Sequence, residues 1–324
     1  MDIDTVMPAF NFAYKGNVDA GAVAAGQVQI RATVGATKTV VFDSGEIDLA
    51  PFSGQHLLLV ALDTVNPTSR VPSPISLLVA TDTAANDVTL FDTATQAGAR
   101  VVHASPDAAD PAAANGPVEV WATTNMTDVP LIDTFNYLDI VPAGGTTHVP
   151  VAAGDYVFNV GPDVDDINQS VFTSGSLTLG QGWEYTVIAS GRLTMAPAFD
   201  LLVSADDSRA ISGQARVKVA HGAPAAGNVH VYVTAAGAFS VMDVEMGNAG
   251  DPLLSDFAFG SITDYVALTP GNYDIRVVPV SSGMVAINDE GRNLAAGSVV
   301  TAVARGPDET DSMPNDFDLI LLTN

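Results

Sequence analysis

"RVVHASPDAAD" (residues 100–110) and "RVKVAHGAPAA" (216–226) are the two stretches on which the reading of the fold turns. Each is a valine-bearing apolar run that ends in a histidine and is broken at once by Pro or Gly, the pattern of a strand running into a turn. His103 beside Asp107 also has the look of a catalytic pair, so the two meanings must be separated. The second copy separates them: His103 has a counterpart in His221, but Ala225 stands where Asp107 would be. A catalytic His–Asp pair needs both members, one to orient and polarise the other. A histidine that persists without its acid closes a strand and bonds its ring nitrogens to backbone.

Working outward from these motifs, further blocks recur in one order at a spacing near 118 residues. "LIDTFNY" (131–137) matches "LLSDFAF" (253–259), "AAGDYVFNV" (152–160) matches "TPGNYDIRV" (269–277), "EYTVIASG" (184–191) matches "VVTAVARG" (299–306), and "AFDLLVS" (198–204) matches "DFDLILL" (316–322). Fixed-period self-similarity is the signature of a repeat architecture. Two repeats are expected at 97–212 and 213–324. Residues 1–96 read as an incomplete first copy, in which "DTVMPAFNF" (4–12), "AAGQVQIRA" (24–32), "VFDSGEIDL" (41–49) and "PISLLVA" (74–80) find partners. Counterparts of "RVVHASPD" and of "PVEVWAT" (117–123) are missing from it, so this copy is expected to be open, its gap due to truncation or filled by strands from another molecule.

Most blocks alternate apolar and polar residues, as Tyr156, Phe158 and Val160 do, which marks strands with one wet face. Gly, Pro, Asn and Asp punctuate them every 8 to 14 residues, as in an all-β sandwich. The expected fold is therefore all-β: tandem immunoglobulin-like or transthyretin-like β-sandwich domains, about seven strands to a repeat. With a later F-x-F/Y block, a G-x-Y strand and a terminal "DLLV" strand, the "RVVHASPDA" motif resembles the bacterial domain-of-unknown-function 4397 family. The resemblance covers 97–324 as two copies and 4–80 as part of a third. It implies secreted or cell-surface proteins with tandem repeats and supplies no catalytic residues.

Composition narrows the setting. The 324 residues carry 12 Lys plus Arg against 37 Asp plus Glu, a net charge of −25. Such a surface repels phosphate backbones and anionic lipid, so no nucleic acid and no membrane insertion are expected, whereas divalent cations would be attracted. There is no cysteine, which removes disulfides, thiolate chemistry and Cys-ligated metals together. No apolar run is long enough to span a bilayer, and a signal peptide is expected to be either absent or already removed from this version of the chain.

Little else looks like chemistry. Asp43-Ser44-Gly45 fits the local pattern of an aspartic protease and "LFDTA" (90–94) half fits it, but Thr173-Ser174-Gly175 holds the same repeat position without a carboxylate. A hairpin turn explains all of these. "DVDDIN" (163–168) and "DETDSMPNDFD" (308–318) are acidic loops; Asp163, Asp165 and Asp166 are the candidates for a surface cation such as Ca²⁺, without the spacing of an EF-hand. Phe10, Phe12, Phe135, Tyr137, Phe257 and Phe259 recur at i and i+2 and are expected in the core. His56, His148 and His230 share no ligand spacing, and Trp121 and Trp183 are unrepeated. No catalytic residue and no cofactor are assigned. The expected role is a non-enzymatic extracellular bacterial surface protein, a scaffold, spacer or adhesive module. Its partners would be other surface or matrix proteins or copies of itself. The alternatives are a filament subunit assembled by strand donation and a glycan- or protein-binding module.

Overall fold

The structure is a computed structural model that describes residues 7–11, 13–35, 38–64, 70–82, 87–108, 117–193, 195–307 and 316–323. It is almost entirely strand. The chain divides into two compact units, one made chiefly of residues 1–97 and the other of residues 98–324 apart from two short segments.

The larger unit contains the second and third repeats. The second comprises β6 (Ala97–His103), β7 (Val118–Thr124), β8 (Thr127–Phe135), β9 (Ile140–Val141), β10 (Val149–Val151), β11 (Gly154–Pro162), β12 (Phe172–Thr173), β13 (Leu177–Leu179), β14 (Glu184–Ser190) and β15 (Asp200–Asp206). The third comprises β16 (Ala215–His221), β17 (Val229–Ala235), β18 (Leu254–Phe257), β19 (Val266–Leu268), β20 (Gly271–Pro279), β21 (Ile287–Leu294), β22 (Val299–Arg305) and β23 (Asp318–Thr323), with one short helix, α1 (Val241–Glu245), after β17. The sheet orders are β10-β6-β14-β15 and β12-β11-β7-β8 in one repeat, with β9 added on β6 and β13 on β11, and β19-β16-β22-β23 and β21-β20-β17-β18 in the other. The two topologies are the same, and Tyr156 and Tyr273 fall on the equivalent strands β11 and β20. Each repeat has eight strand positions rather than seven, because a short strand that no matched block foretold, β10 or β19, pairs with the first strand. The first strand pairs in parallel with the seventh, β6 with β14 and β16 with β22. An immunoglobulin sandwich instead puts its first strand beside the second, so the arrangement is the transthyretin-like of the two outlines.

The expectation of one wet face fails for four strands. β6, β14, β16 and β22 are buried on both faces, and every residue of β22 is buried. On β16, Ala215, Val217 and Val219 face the third repeat's own core with Leu294 and Val300. Its alternate residue Ala220 packs instead with Val102, Ala104 and Ile188 of the second repeat and with Val303 and Leu322. The β6-β14-β15 and β16-β22-β23 sheets therefore lie back to back and share one core. Two-sided burial removes the need for polar residues on alternate positions, which is why these strands read as nearly continuous apolar runs.

In the smaller unit, β1 (Gln27–Val34) pairs with β2 (Thr39–Asp48), and β3 (Leu58–Asp63) with β4 (Ile75–Ala80) and β5 (Val88–Leu90). By their order and register these stand for the last four strands of a repeat, with β5 extra. Phe42, Leu77 and Val79 are buried. The described residues before Gln27 contain no strand, and Phe10 is 45% exposed, so the block at 4–12 is not the core strand that its match suggested. Residues 4–6 and Phe12 lie outside the described residues.

Candidate functional site

The two motif histidines occupy the same environment. His103 Nε2 donates to Ala108 O (3.2 Å) while Nδ1 accepts from Ser105 N (3.4 Å); His221 Nε2 donates to Gly227 O (2.7 Å) and Nδ1 accepts from Ala223 N (3.4 Å). A carbonyl can only accept and a backbone N–H only donate, so the partners fix the neutral tautomer. Burial accordingly pushes His103 down to about 4, and His221 downward for the same reason. The recurrent aromatics serve these rings: Phe135 and Tyr137 lie 5.3 and 6.1 Å from His103, and Phe257 and Phe259 lie 6.2 and 5.8 Å from His221. Asp107 turns elsewhere and accepts from Leu193 N. A small cavity beside His221, lined by Val219, Val229, Val231, Phe257 and Val277, is apolar apart from that ring.

The densest charged group lies where the sequence drew no attention, between the back-to-back sheets. Arg100, wholly buried, donates to Gly145 O (2.6 Å) and Thr186 Oγ1 (2.9 Å), and its guanidinium is 3.5 Å from Asp206 Oδ2. From the third repeat, Lys218 Nζ reaches Ser204 Oγ (2.6 Å), Ala205 O (2.7 Å) and Asp206 Oδ1 (3.2 Å). Thr186 Oγ1 donates to Asp206, and His148 Nε2 lies 3.2 Å from the same carboxylate. Tyr265 is covered by two cations, Lys218 at 4.4 Å and Arg216 at 4.5 Å from the ring centre. Burial raises the Asp206 carboxyl, but His148, Thr186, Lys218 and Arg100 outweigh it and hold the group below its usual range. Burial in turn lowers Arg100, partly offset by Asp206.

The ladder shows how these residues correspond. Arg100 is opposite Thr186 on β14, and Lys218 is opposite Thr301 on β22. Arg100 and Lys218 are thus equivalent, each three residues before its histidine. Matching Arg100 to Arg216 by residue type is out by two. His148 and Tyr265 also correspond, each directly preceding the short strand β10 or β19. The signal available in the sequence was a cation in the middle of an apolar strand, twice, at the same distance from the same histidine. His148 is therefore not a scattered residue.

Asp43-Ser44-Gly45 is not a hairpin turn. It lies inside β2 at a bulge opposite Ile30. Ser44 Oγ accepts from Ile30 N and donates to Gly45 O; Ser174 Oγ accepts from Phe158 N and donates to Gly175 O. The serine hydroxyl replaces the ladder acceptor that the extra residue displaces. The Asp43 carboxylate is held by Arg31 and Gln29, while Asp92 accepts from the backbone of Asp43 and of Ala94, so each carboxylate is engaged by partners of its own. In the acidic loop, Asp163 accepts from Thr134 and Asp166 caps Asn168, while the backbones of Asp165 and Asp166 donate to buried Glu119. The three carboxylates do not converge. Among the described residues no three His, Asp or Glu side chains come together to hold a metal. Asp308 to Asn315 of the other acidic stretch lie outside the described residues; Asp316 pairs with Arg305. Trp183 is 55% exposed, whereas Trp121 is half-buried.

No curated protein is similar to this sequence. A solved structure from Bacteroides ovatus ATCC 8483, a "putative cell adhesion protein", is 11% identical over 71% of this chain and 95% of its own, with a TM-score of 0.18. No helix among the described residues is long and apolar enough to cross a membrane. The family model for a domain of unknown function, DUF4397, matches residues 97–232, from the start of β6 through the opening strands of the third repeat. That stretch, which holds the first histidine motif and both cations of the buried cluster, bears out the resemblance to the DUF4397 family.

Proposed function

We propose that this protein is a non-enzymatic extracellular scaffold or adhesive spacer whose second and third repeats are welded into one rigid body. The observation that supports the reading is the buried joint between them. Arg100, Asp206 and Lys218, groups that elsewhere could line a cleft, are enclosed between two sheets and bonded to one another. A rigid double sandwich resists extension because both repeats must be disturbed together, which is what a surface spacer requires. The acidic surface keeps such a protein dispersed outside the cell.

Single-molecule pulling across residues 97–324 tests this. The two repeats are expected to rupture as one event. Asp206→Ala leaves Arg100 and Lys218 buried without their carboxylate, a loss of about 3–5 kcal/mol, and is expected to split the event into two at lower force. Independent rupture of the repeats in the unaltered chain would overturn the reading.

A further inference from the structure

Strands β3 and β4 have two faces. On one face Leu77 and Val79 of β4 are buried, while Leu59 of β3, opposite Val79, is 45% exposed. The opposite face carries Leu58, Val60 and Leu62 on β3 and Leu78 and Ala80 on β4, with Leu58 63% and Leu62 40% exposed. The ladder identifies what this face is. Val60 is paired with Leu78 as Ile188 is with Leu202 in the second repeat and Val303 with Ile320 in the third. Those last two pairs meet across the joint, where Ile188 and Val303 are wholly buried. One apolar sheet face is therefore present three times in the chain, and two of its copies cover each other.

We propose that the third copy of this face, on β3 and β4, is a homodimer contact that packs against the same face of a second chain. The internal joint supplies the reason for choosing this partner: the face is complementary to another copy of itself, and a two-fold dimer brings one patch against its own duplicate. The external contact differs from the internal one in chemistry. Where the joint holds Thr186 paired with Ser204, the smaller unit has Leu58 paired with Ala80, so the patch is mainly apolar, with Ser76 opposite Leu62 and Thr89 opposite Leu78 as uncharged polar members. Two chains of net charge −25 repel one another, and added salt screens that repulsion without weakening an apolar contact. Three strands of up to six residues present a footprint of roughly 20 by 14 Å. That is small for a stable interface, so the dimer is a weak one.

Sedimentation equilibrium of the full chain from about 1 to 300 µM, the range in which weak association is read, tests the proposal at low and high salt. A monomer–dimer equilibrium that shifts toward dimer with salt is expected. Leu58→Glu with Leu62→Glu is expected to abolish it, while Leu131→Glu, an exposed apolar position on β8, leaves it intact. Should the double variant misfold by circular dichroism, the absence of cysteine allows a single nitroxide label on Leu78→Cys, and dipolar coupling between the labels of two chains is expected. A monomer at every concentration, a dimer indifferent to the double variant, or no label coupling overturns the proposal. So does an open series of larger oligomers, the signature of strand donation along an edge.

Discussion

The ring of His103 is enclosed by Phe135 and Tyr137, and both its nitrogens are bonded to backbone. Protonation would put a second N–H against the Ser105 N–H in a buried site. The folded state therefore refuses the proton until about pH 4, whereas the unfolded chain accepts it near 6.5. Because the folded value is depressed, the stabilisation is complete above about 6.5 and is lost as pH falls from there toward 4; a shift of this size corresponds to about 3 kcal/mol. His221 acts in the same direction. His103→Gln is expected to cost about 1 kcal/mol at pH 7 and to flatten the decline between pH 6.5 and 4, measured by urea unfolding at several pH values. An unchanged slope would show that His103 does not titrate in this way. The strand-end role of the histidine was legible because two copies could be compared, one with Asp107 and one with Ala225. The pairing of Arg100 with Lys218 was not, since Arg100 and Arg216 share a residue type but differ by two positions in ladder register, and only hydrogen bonding reveals register.

Among the elements, the bulge that carries Ser44 and Ser174 links local sequence to sheet curvature. Both serines accept the N–H of a neighbouring strand that has no ladder partner at that point. Gly45, at φ +66°, sits in the left-handed region, and a Cβ there would come within 2.9 Å of Thr93 Cγ2. Ser174→Ala removes the acceptor of Phe158 N and is expected to lower stability by about 1 kcal/mol. Amide exchange checks it: Phe158 N–H should lose protection while its neighbours on β11 keep theirs. The sequence signalled a Ser-Gly irregularity at a repeated position but not its kind. A hairpin turn and a bulge draw on the same residues, since glycine accommodates the special backbone conformations of both.

For the whole molecule, charge opposes compactness. A net charge of −25 repels itself, and the ion pairs that relieve it are partly surface pairs such as Arg209 with Asp207. The buried pairs at Asp206 are shielded from solvent ions. Thermal unfolding is therefore expected to move to higher temperature as salt rises from about 0.05 to 0.5 M, because screening over a Debye length of about 14 to 4 Å weakens repulsion more than it weakens the enclosed cluster. A melting temperature that falls with salt would mean that exposed ion pairs dominate stability instead.

Periodicity and repetition alone determined that this chain is all-β with a repeated strand pattern, and which of the longer strands in its last two copies correspond. These follow from the sequence because strand alternation and turn chemistry are local, and a duplicated pattern reports them twice. Tertiary structure decided that the second and third repeats lie back to back, that Arg100, Asp206, Lys218 and His148 meet between them, and that β22 is buried on both sides. Those facts depend on which faces come together across about a hundred residues of chain, and a polar residue in an apolar strand looks the same whether its partner is water or a buried carboxylate.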